Sequence, residues 1–159
     1  MKTLLLLLIF QIQSPHLHAQ GINPFSSDGC TLAPDGTFSR PSLWQECCIV
    51  HDLWYWGGGS KNLRSAVDKN LKSCIEAKAG ALVANLFSLG VEIGSYSPFK
   101  LKNKKWGNAW SLSSKPVYQD LNLDQKKKLL IYLEGYSKFP ALIQPYKDYL
   151  ATEANSSLH

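Results

Sequence analysis

The spacing of apolar residues along the chain predicts a mainly helical protein. Apolar side chains recur every three or four positions, which is the period of an α-helix with one buried face. The stretches with this period run approximately over residues 43–56, 62–79, 81–93 and 122–134, with a last piece at 140–149. No strand pattern is strong, so we predict helices without a sheet.

Local signals mark where these helices begin and end. Ser42 and Gln45 match an S-x-x-Q capping pattern at the start of the first helix, and glycines 57–59 follow its end. Because this glycine turn is short, the first two helices should be antiparallel neighbours. Asn122 is the expected cap of the 122–134 helix, with Gly135 as its stop.

The 81–93 stretch is the most apolar of these helices. It carries four large aliphatic residues at helical spacing, Leu82, Leu86, Leu89 and Ile93. Asn85 and Glu92 interrupt the stretch, so we interpret it as core or as a cover over the core, and not as a membrane span.

The first 19 residues have the features of a signal peptide. Lys2 precedes an unbroken apolar run from Leu4 to Phe10, and Leu17-His18-Ala19 resembles a cleavage site. The run is shorter than the roughly 20 residues needed to span a bilayer. We therefore expect cleavage after Ala19, a secreted or periplasmic protein, and a single domain over residues 20–159.

All four cysteines lie after this segment, and an even number in an exported chain predicts disulfides. A bond between Cys47 and Cys48 would be a strained vicinal bridge, which leaves two possible pairings. A zinc site is disfavoured because the chain has neither a C-x-x-C nor an H-E-x-x-H pattern. A serine hydrolase is disfavoured because no G-x-S-x-G occurs.

Cysteine and ionisable side chains that could form a functional site are concentrated in residues 46–55. Residues four apart share a helix face, so Cys47, His51 and Tyr55 form one stripe, beside a second of Cys48 and Asp52. If Cys47 bonds to Cys74, Asp68 becomes level with the gap between His51 and Tyr55. A carboxylate there could fix the imidazole tautomer and leave the other ring nitrogen free as a base.

The remaining pair, Cys30 with Cys48, would hold the Gly29–Ala33 loop one turn from Asp52. Backbone carbonyls beside a carboxylate are the hard oxygen ligands that Ca²⁺ prefers. We expect this pairing, Cys30–Cys48 with Cys47–Cys74, since it alone places the loop beside Asp52 and Asp68 level with His51.

These residues resemble a known family, the secreted calcium-dependent phospholipase A2 superfamily. The pattern Cys47-Cys48-x-x-His51-Asp52-x-x-Tyr55 is similar to its active-site helix, and Asp68 stands six residues before Cys74 as on its second catalytic helix. Trp54 and Val67 replace two family cysteines that normally pair. The short turn is closer to the compact bacterial and fungal members. The match covers residues 28–76, and residues 77–159, which we expect to form a helical cover, match nothing.

The resemblance implies a hydrolase that cleaves the sn-2 ester of glycerophospholipids with water. It implies that His51 is the base, that Asp68 supports it, braced by Tyr55, and that Asp52 is a ligand of Ca²⁺. The other calcium ligands it implies are loop carbonyls, at Gly29, Thr31 and Ala33. The loop departs from the family's glycine-rich form, which favours the alternative of a catalytically weak or inactive binding or toxin-like module at membrane surfaces.

The charge of the chain bears on its partner. The 17 Lys and Arg exceed the 12 Asp and Glu, giving a formal net charge of +5. This suits an anionic phospholipid surface, and no nucleic-acid motif is present. A lysine-rich stretch beside Trp106 and Trp110 is a candidate for membrane contact, with Lys100, Lys102, Lys104 and Lys105. The sequence leaves the oligomeric state open.

Overall fold

The computed structural model describes residues 21–96, 109–110 and 120–156. The predicted signal peptide and the lysine-rich stretch lie outside these residues, apart from Trp110. The described chain forms five helices, α1 (Gln45–Gly57), α2 (Lys61–Ala79), α3 (Ala81–Tyr96), α4 (Leu123–Glu134) and α5 (Pro140–Ser156). Within the described ranges there is no strand, only an isolated bridge between Ile22 and Trp110. The prediction of a mainly helical protein is confirmed.

Helices α1 and α2 form the antiparallel pair that the glycine turn predicted. Gly58 and Gly59 both have positive φ, 91° and 138°, and the Leu63 side chain occupies the space where a Cβ of Gly59 would lie. Ser60 then caps α2 by accepting a hydrogen bond from Leu63 N at 3.3 Å. The Cys47–Cys74 disulfide joins the beginning of α1 to the end of α2, which requires the two helices to run in opposite directions.

The start of α1 differs from its prediction. The N-cap position is Trp44 and has no side-chain cap, so the expected cap from Ser42 is wrong. The Gln45 side chain instead donates to Asp35 Oδ2 at 3.0 Å, and the Trp44 amide donates to the Asp35 carbonyl at 2.9 Å. Contacts with the preceding loop therefore hold this helix end in place of the local capping pattern.

Helix α3 packs on α2 through one face only. Ala84 is buried and Val83, Phe87 and Val91 are partly buried against a cluster that includes Ile75 of α2. The four aliphatic residues predicted as core or cover are exposed, Leu82 by 75%, Leu86 by 62%, Leu89 by 53% and Ile93 by 61%. Helix α3 does cover α2, as interpreted, but these four residues lie on its outer face. Because α3 has apolar residues on opposite faces, the spacing could not indicate which face packs. No helix among the described residues is long and apolar enough to cross a membrane.

Helices α4 and α5 cover the other side of α1. Asn122 caps α4, as predicted, and Gln125 completes a capping box with it. Helix α5 is longer than expected because it continues past Tyr149 to Ser156. Pro145 lies inside it, and the inward residues keep their helical spacing on both sides of this proline, so burial outweighs the lost backbone hydrogen bond. These buried residues are Ile143, Tyr146, Leu150 and Ala154.

Helix α1 thus lies between two apolar clusters. On one side Leu53 and Trp56 are fully buried against residues of α4 and α5, with Trp56 Nε1 donating to the Asn23 carbonyl at 3.0 Å. On the other side Cys47 and Cys48 pack with Leu71 and Ile75 of α2 and with α3. Burial on both sides fixes the rotation of α1 and therefore the direction in which its polar residues point.

Candidate active site

Both predicted disulfides are present. Cys30 bonds to Cys48 with a Cα–Cα distance of 5.1 Å, and Cys47 bonds to Cys74 with a Cα–Cα distance of 5.8 Å. There are no free cysteines. The pairing is the one that places the loop beside Asp52 and Asp68 level with His51, and it is confirmed.

The Cys47–Cys74 side of α1 brings three predicted site residues together. Asp68 Oδ1 lies 2.9 Å from His51 Nε2 and accepts a hydrogen bond of 2.7 Å from the Tyr55 hydroxyl. The sequence predicted only that Asp68 would be level with this gap, and the structure shows that it also faces it. The His51 and Tyr55 rings stack with centroids 4.3 Å apart, so the imidazole is held at its edge and on its face.

Arg64 is a member of this group that the sequence analysis missed. Its guanidinium lies 4.6 Å from the centroid of the Tyr55 ring, and its Nη2 is 3.5 Å from the Tyr55 carbonyl oxygen. A guanidinium over a tyrosine ring gains cation–π attraction. The available signal was spacing, because Arg64 precedes Asp68 by four residues and so shares its helix face.

The other ring nitrogen of His51 faces a different environment. Nδ1 lies 4.0 Å from Asp52 Oδ1, which is beyond hydrogen-bonding distance. Asp52 is 5% exposed and the only buried charged residue among those described. Its second oxygen accepts a 2.7 Å hydrogen bond from Ser27. Ser27 had no sequence signal, because it reaches Asp52 across 25 residues from an irregular segment.

Both ionisable groups have shifted pKa values. Burial raises the pKa of Asp52 above 3.8, and this outweighs the opposing effects of His51 and Ser27. Burial lowers the pKa of His51, but Asp52 and Asp68 outweigh it, so the pKa of His51 lies above its ordinary 6.5. On the side of α1 that faces the loop, burial therefore disfavours the charged form of Asp52 more than His51 and Ser27 favour it.

The loop itself is organised by Asp35, a third residue whose role the sequence analysis did not identify. Asp35 Oδ1 accepts a 2.7 Å hydrogen bond from the Cys30 amide, in addition to its contacts with the start of α1. Gly29 has φ of +83°, and a Cβ there would overlap the Asp35 carboxylate. The turn-forming sequence Pro34-Asp35-Gly36 was the available signal, since aspartate in such turns commonly accepts local amide hydrogen bonds.

The loop offers oxygen atoms suited to a hard cation. No residue in the described ranges donates a hydrogen bond to the carbonyl oxygens of Gly29, Thr31 or Ala33. The described residues also contain no group of three or more His, Cys, Asp or Glu side chains that could hold a metal. A cation here would therefore depend on Asp52 and on backbone carbonyls. That donor set, with a buried carboxylate whose charge is only partly compensated, fits Ca²⁺.

A pocket of about 210 Å³ lies beside His51 between α1 and α2. Its walls include Val50, Trp54, Val67 and Leu71, with Leu142 of α5. Trp54 and Val67 thus contribute to an apolar wall next to the imidazole.

Comparison with protein-family models, with curated proteins and with solved structures finds no match for this chain.

Proposed function

We propose that this protein is a secreted, calcium-dependent hydrolase of the phospholipase A2 type, which cleaves the sn-2 ester of glycerophospholipids. The observation that carries the proposal is the arrangement at Asp68. One carboxylate oxygen contacts both the Tyr55 hydroxyl at 2.7 Å and His51 Nε2 at 2.9 Å. An imidazole held in this way has one defined tautomer, which a histidine on the surface of a purely structural helix does not need.

The proton transfer follows from this tautomer. With Nε2–H donating to Asp68, the lone pair of His51 lies on Nδ1. Nδ1 can then take a proton from a water molecule as that water attacks an ester carbonyl. Asp68 stabilises the imidazolium that forms, and Tyr55 keeps the carboxylate in place. Asp52 lies 4.0 Å from Nδ1, too far to hold it by a hydrogen bond, so this nitrogen stays available to the water.

The calcium role rests on Asp52 and the loop carbonyls of Gly29, Thr31 and Ala33, which would hold the ion. When bound, Ca²⁺ would supply positive charge to the oxyanion that develops on the ester carbonyl. The Thr31 amide is our candidate for a second oxyanion donor. The Cys30–Cys48 disulfide keeps this loop within one helical turn of Asp52 whether or not a cation is bound.

The lipid substrate is supported by the resemblance of the His51 helix to the active-site helix of the phospholipase A2 superfamily and by the apolar pocket beside His51. Export is supported by the apolar N-terminal segment and by two disulfides, which persist in oxidising compartments. An anionic membrane surface is the partner that the net positive charge favours.

The direct test is fatty acid release from phosphatidylcholine vesicles in calcium and then in excess chelator. We expect release only with calcium, and no release by His51→Gln, which should still bind calcium. Asp124→Asn on the exposed face of α4 is the matched control and should retain full activity. Equal release in chelator would contradict the calcium role. Full activity of His51→Gln would contradict the assignment of this site.

The alternative, a non-catalytic module that binds membrane surfaces, is favoured by two exposed apolar side chains in the irregular segment before α1. Leu32 is 90% exposed with a φ of +62°, and Phe38 is fully exposed. Apolar side chains on an exposed loop can contact a lipid surface without any reaction. Vesicle binding by a protein that releases no fatty acid would select this alternative.

A further inference from the structure

The exposed face of α3 forms a narrow apolar seam. We define this seam as Leu82, Leu86, Leu89 and Ile93, all of which are more than half exposed. Their spacing is four, three and four residues, the alternation of the a and d positions of a coiled coil. At 100° per residue the seam spans only about 60° of the helix circumference. The opposite face packs on α2, so this seam is not used within the described fold.

The residues beside the seam suit another helix better than a lipid surface. A helix lying on a membrane needs a broad apolar face, commonly bordered by Lys or Arg. Along α3 the seam is bordered by Asn85 and Glu92 on one side and by Val83 and Gly90 on the other, with no basic residue in the helix. A Cβ on Gly90 would meet nothing within 4 Å, so that border is open to a close approach.

We propose that the seam binds the same seam of a second copy of this chain, forming a two-fold symmetric dimer with antiparallel α3 helices. The proposal goes beyond the hydrolase activity and does not depend on it. In the antiparallel arrangement Leu86 faces Leu89 of the other copy, and Leu82 faces Ile93. Glu92, the only charged residue of α3, then lies near the start of the other α3 helix, where the helix dipole favours a carboxylate. A parallel arrangement would bring the two Glu92 side chains to the same end.

The apolar area determines how strong such a dimer can be. Burying one of these Leu or Ile side chains removes roughly 60 to 120 Å² from water, so the eight in a dimer contribute roughly 500 to 1,000 Å². A specific interface needs roughly 1,000 Å², and the borders of the seam must supply the remainder. The helix is already folded on α2, so association does not have to order it. We therefore expect a reversible dimer with a dissociation constant in the micromolar range.

Sedimentation velocity of the purified protein over about 1 to 500 µM tests the proposal, because this range includes the expected micromolar dissociation constant. The wild type should change from monomer to dimer with increasing concentration. Leu86→Lys should weaken association at least about tenfold, because a charge replaces a leucine buried at the centre of the seam. Ile131→Lys is the matched control, since Ile131 is 46% exposed on α4 and lies outside the seam. It should dimerise as the wild type does.

A charge-pairing experiment fixes the geometry. Leu86→Glu and Leu89→Lys should each be monomeric alone and should form a heterodimer when mixed, because these positions face each other in the antiparallel dimer. Heterodimers formed by Leu86→Glu with Leu86→Lys instead would overturn the antiparallel arrangement.

A wild type that stays monomeric throughout the range would overturn the dimer. So would a Leu86→Lys protein that keeps wild-type association but no longer floats with phosphatidylcholine vesicles, since that result would assign the seam to lipid.

Discussion

The two sides of His51 are built in different ways. Toward α2, Nε2, Asp68 and Tyr55 are joined by hydrogen bonds of 2.9 and 2.7 Å between the protein's own atoms. Toward the loop, Nδ1 and Asp52 are 4.0 Å apart, and the buried Asp52 receives a hydrogen bond from Ser27 on one oxygen. One side is complete without any added group, whereas the other holds a carboxylate whose burial is only partly compensated.

This difference separates two tasks that the proposed reaction requires. A base must be oriented before substrate arrives, and fixed side-chain contacts do this. Charge must also be stabilised as it develops, and a cation held by a rigid loop does this. Each side has its own disulfide, Cys47–Cys74 toward α2 and Cys30–Cys48 toward the loop. The two tasks should therefore be separable by mutation.

Removal of the disulfides should have the largest effect on stability. Replacing either pair by serines should lower the free energy of unfolding by about 2–5 kcal/mol, which urea denaturation would measure. The Cys47–Cys74 bond spans 27 residues and the Cys30–Cys48 bond spans 18. Loss of Cys47–Cys74 should therefore cost about 0.4 kcal/mol more by loop-closure entropy.

The functional consequences of the two disulfide variants should differ. Loss of Cys30–Cys48 should weaken calcium binding, measured by titration calorimetry, more than loss of Cys47–Cys74 does. If both variants lose calcium affinity equally, the two sides of His51 are not independent.

Asp52→Asn should have the next largest effect. In calcium we expect fatty acid release to fall by about 10² to 10³-fold, the usual effect of removing one electrostatic element that stabilises an oxyanion. In chelator the variant should unfold at a higher urea concentration than the wild type, because burial raises the pKa of Asp52 and therefore disfavours its charged form. An Asp52→Asn protein that is still stabilised by calcium would show that the cation binds elsewhere.

Asp68→Asn and Tyr55→Phe should have smaller, graded effects. Asparagine keeps an oxygen that can accept from His51 Nε2 but loses the charge that stabilises the imidazolium, so the rate should fall roughly tenfold to a hundredfold. Tyr55→Phe keeps the ring stacked on His51 and removes only one hydrogen bond to Asp68, so its loss should be smaller. Steady-state kinetics on a soluble short-chain ester would measure both. A larger loss in Tyr55→Phe than in Asp68→Asn would contradict this order.

Much of the site could be predicted from the sequence because its residues lie on regular helices. Four-residue spacing places Cys47, His51 and Tyr55 on one stripe, and a single tether to Cys74 sets the level of Asp68. The rotation of α2 could not be predicted in this way. It depends on burial of Val67, Leu71 and Ile75, which the spacing indicates only as a face.

Two kinds of region could not be predicted: segments without a periodic pattern, and a helix with apolar residues on opposite faces. Ser27 and Asp35 act from an irregular segment, where contacts across 25 and 10 residues leave no repeat in the sequence. Helix α3 has the opposite problem, because apolar residues on opposite faces do not indicate which side packs on α2. The extension of α5 past Tyr149 to Ser156 depended on tertiary burial of Leu150 and Ala154.

The smallest expected effect is the pH dependence of stability in chelator. The pKa of His51 is raised above 6.5 in the folded protein, so the folded state binds this proton more tightly than the unfolded state. Its contribution to stability is fully present below pH 6.5 and is lost as the pH rises through the folded pKa. The raised pKa of Asp52 has the same sign, with its contribution present below pH 3.8 and lost at higher pH. Urea denaturation in chelator should therefore give a free energy of unfolding that falls as the pH rises above 6.5 and through the folded pKa of His51. His51→Gln should flatten this slope, whereas Asp124→Asn should leave it unchanged. A slope that persists in His51→Gln would show that another group titrates, and that the carboxylates around His51 do not hold its proton as the geometry indicates.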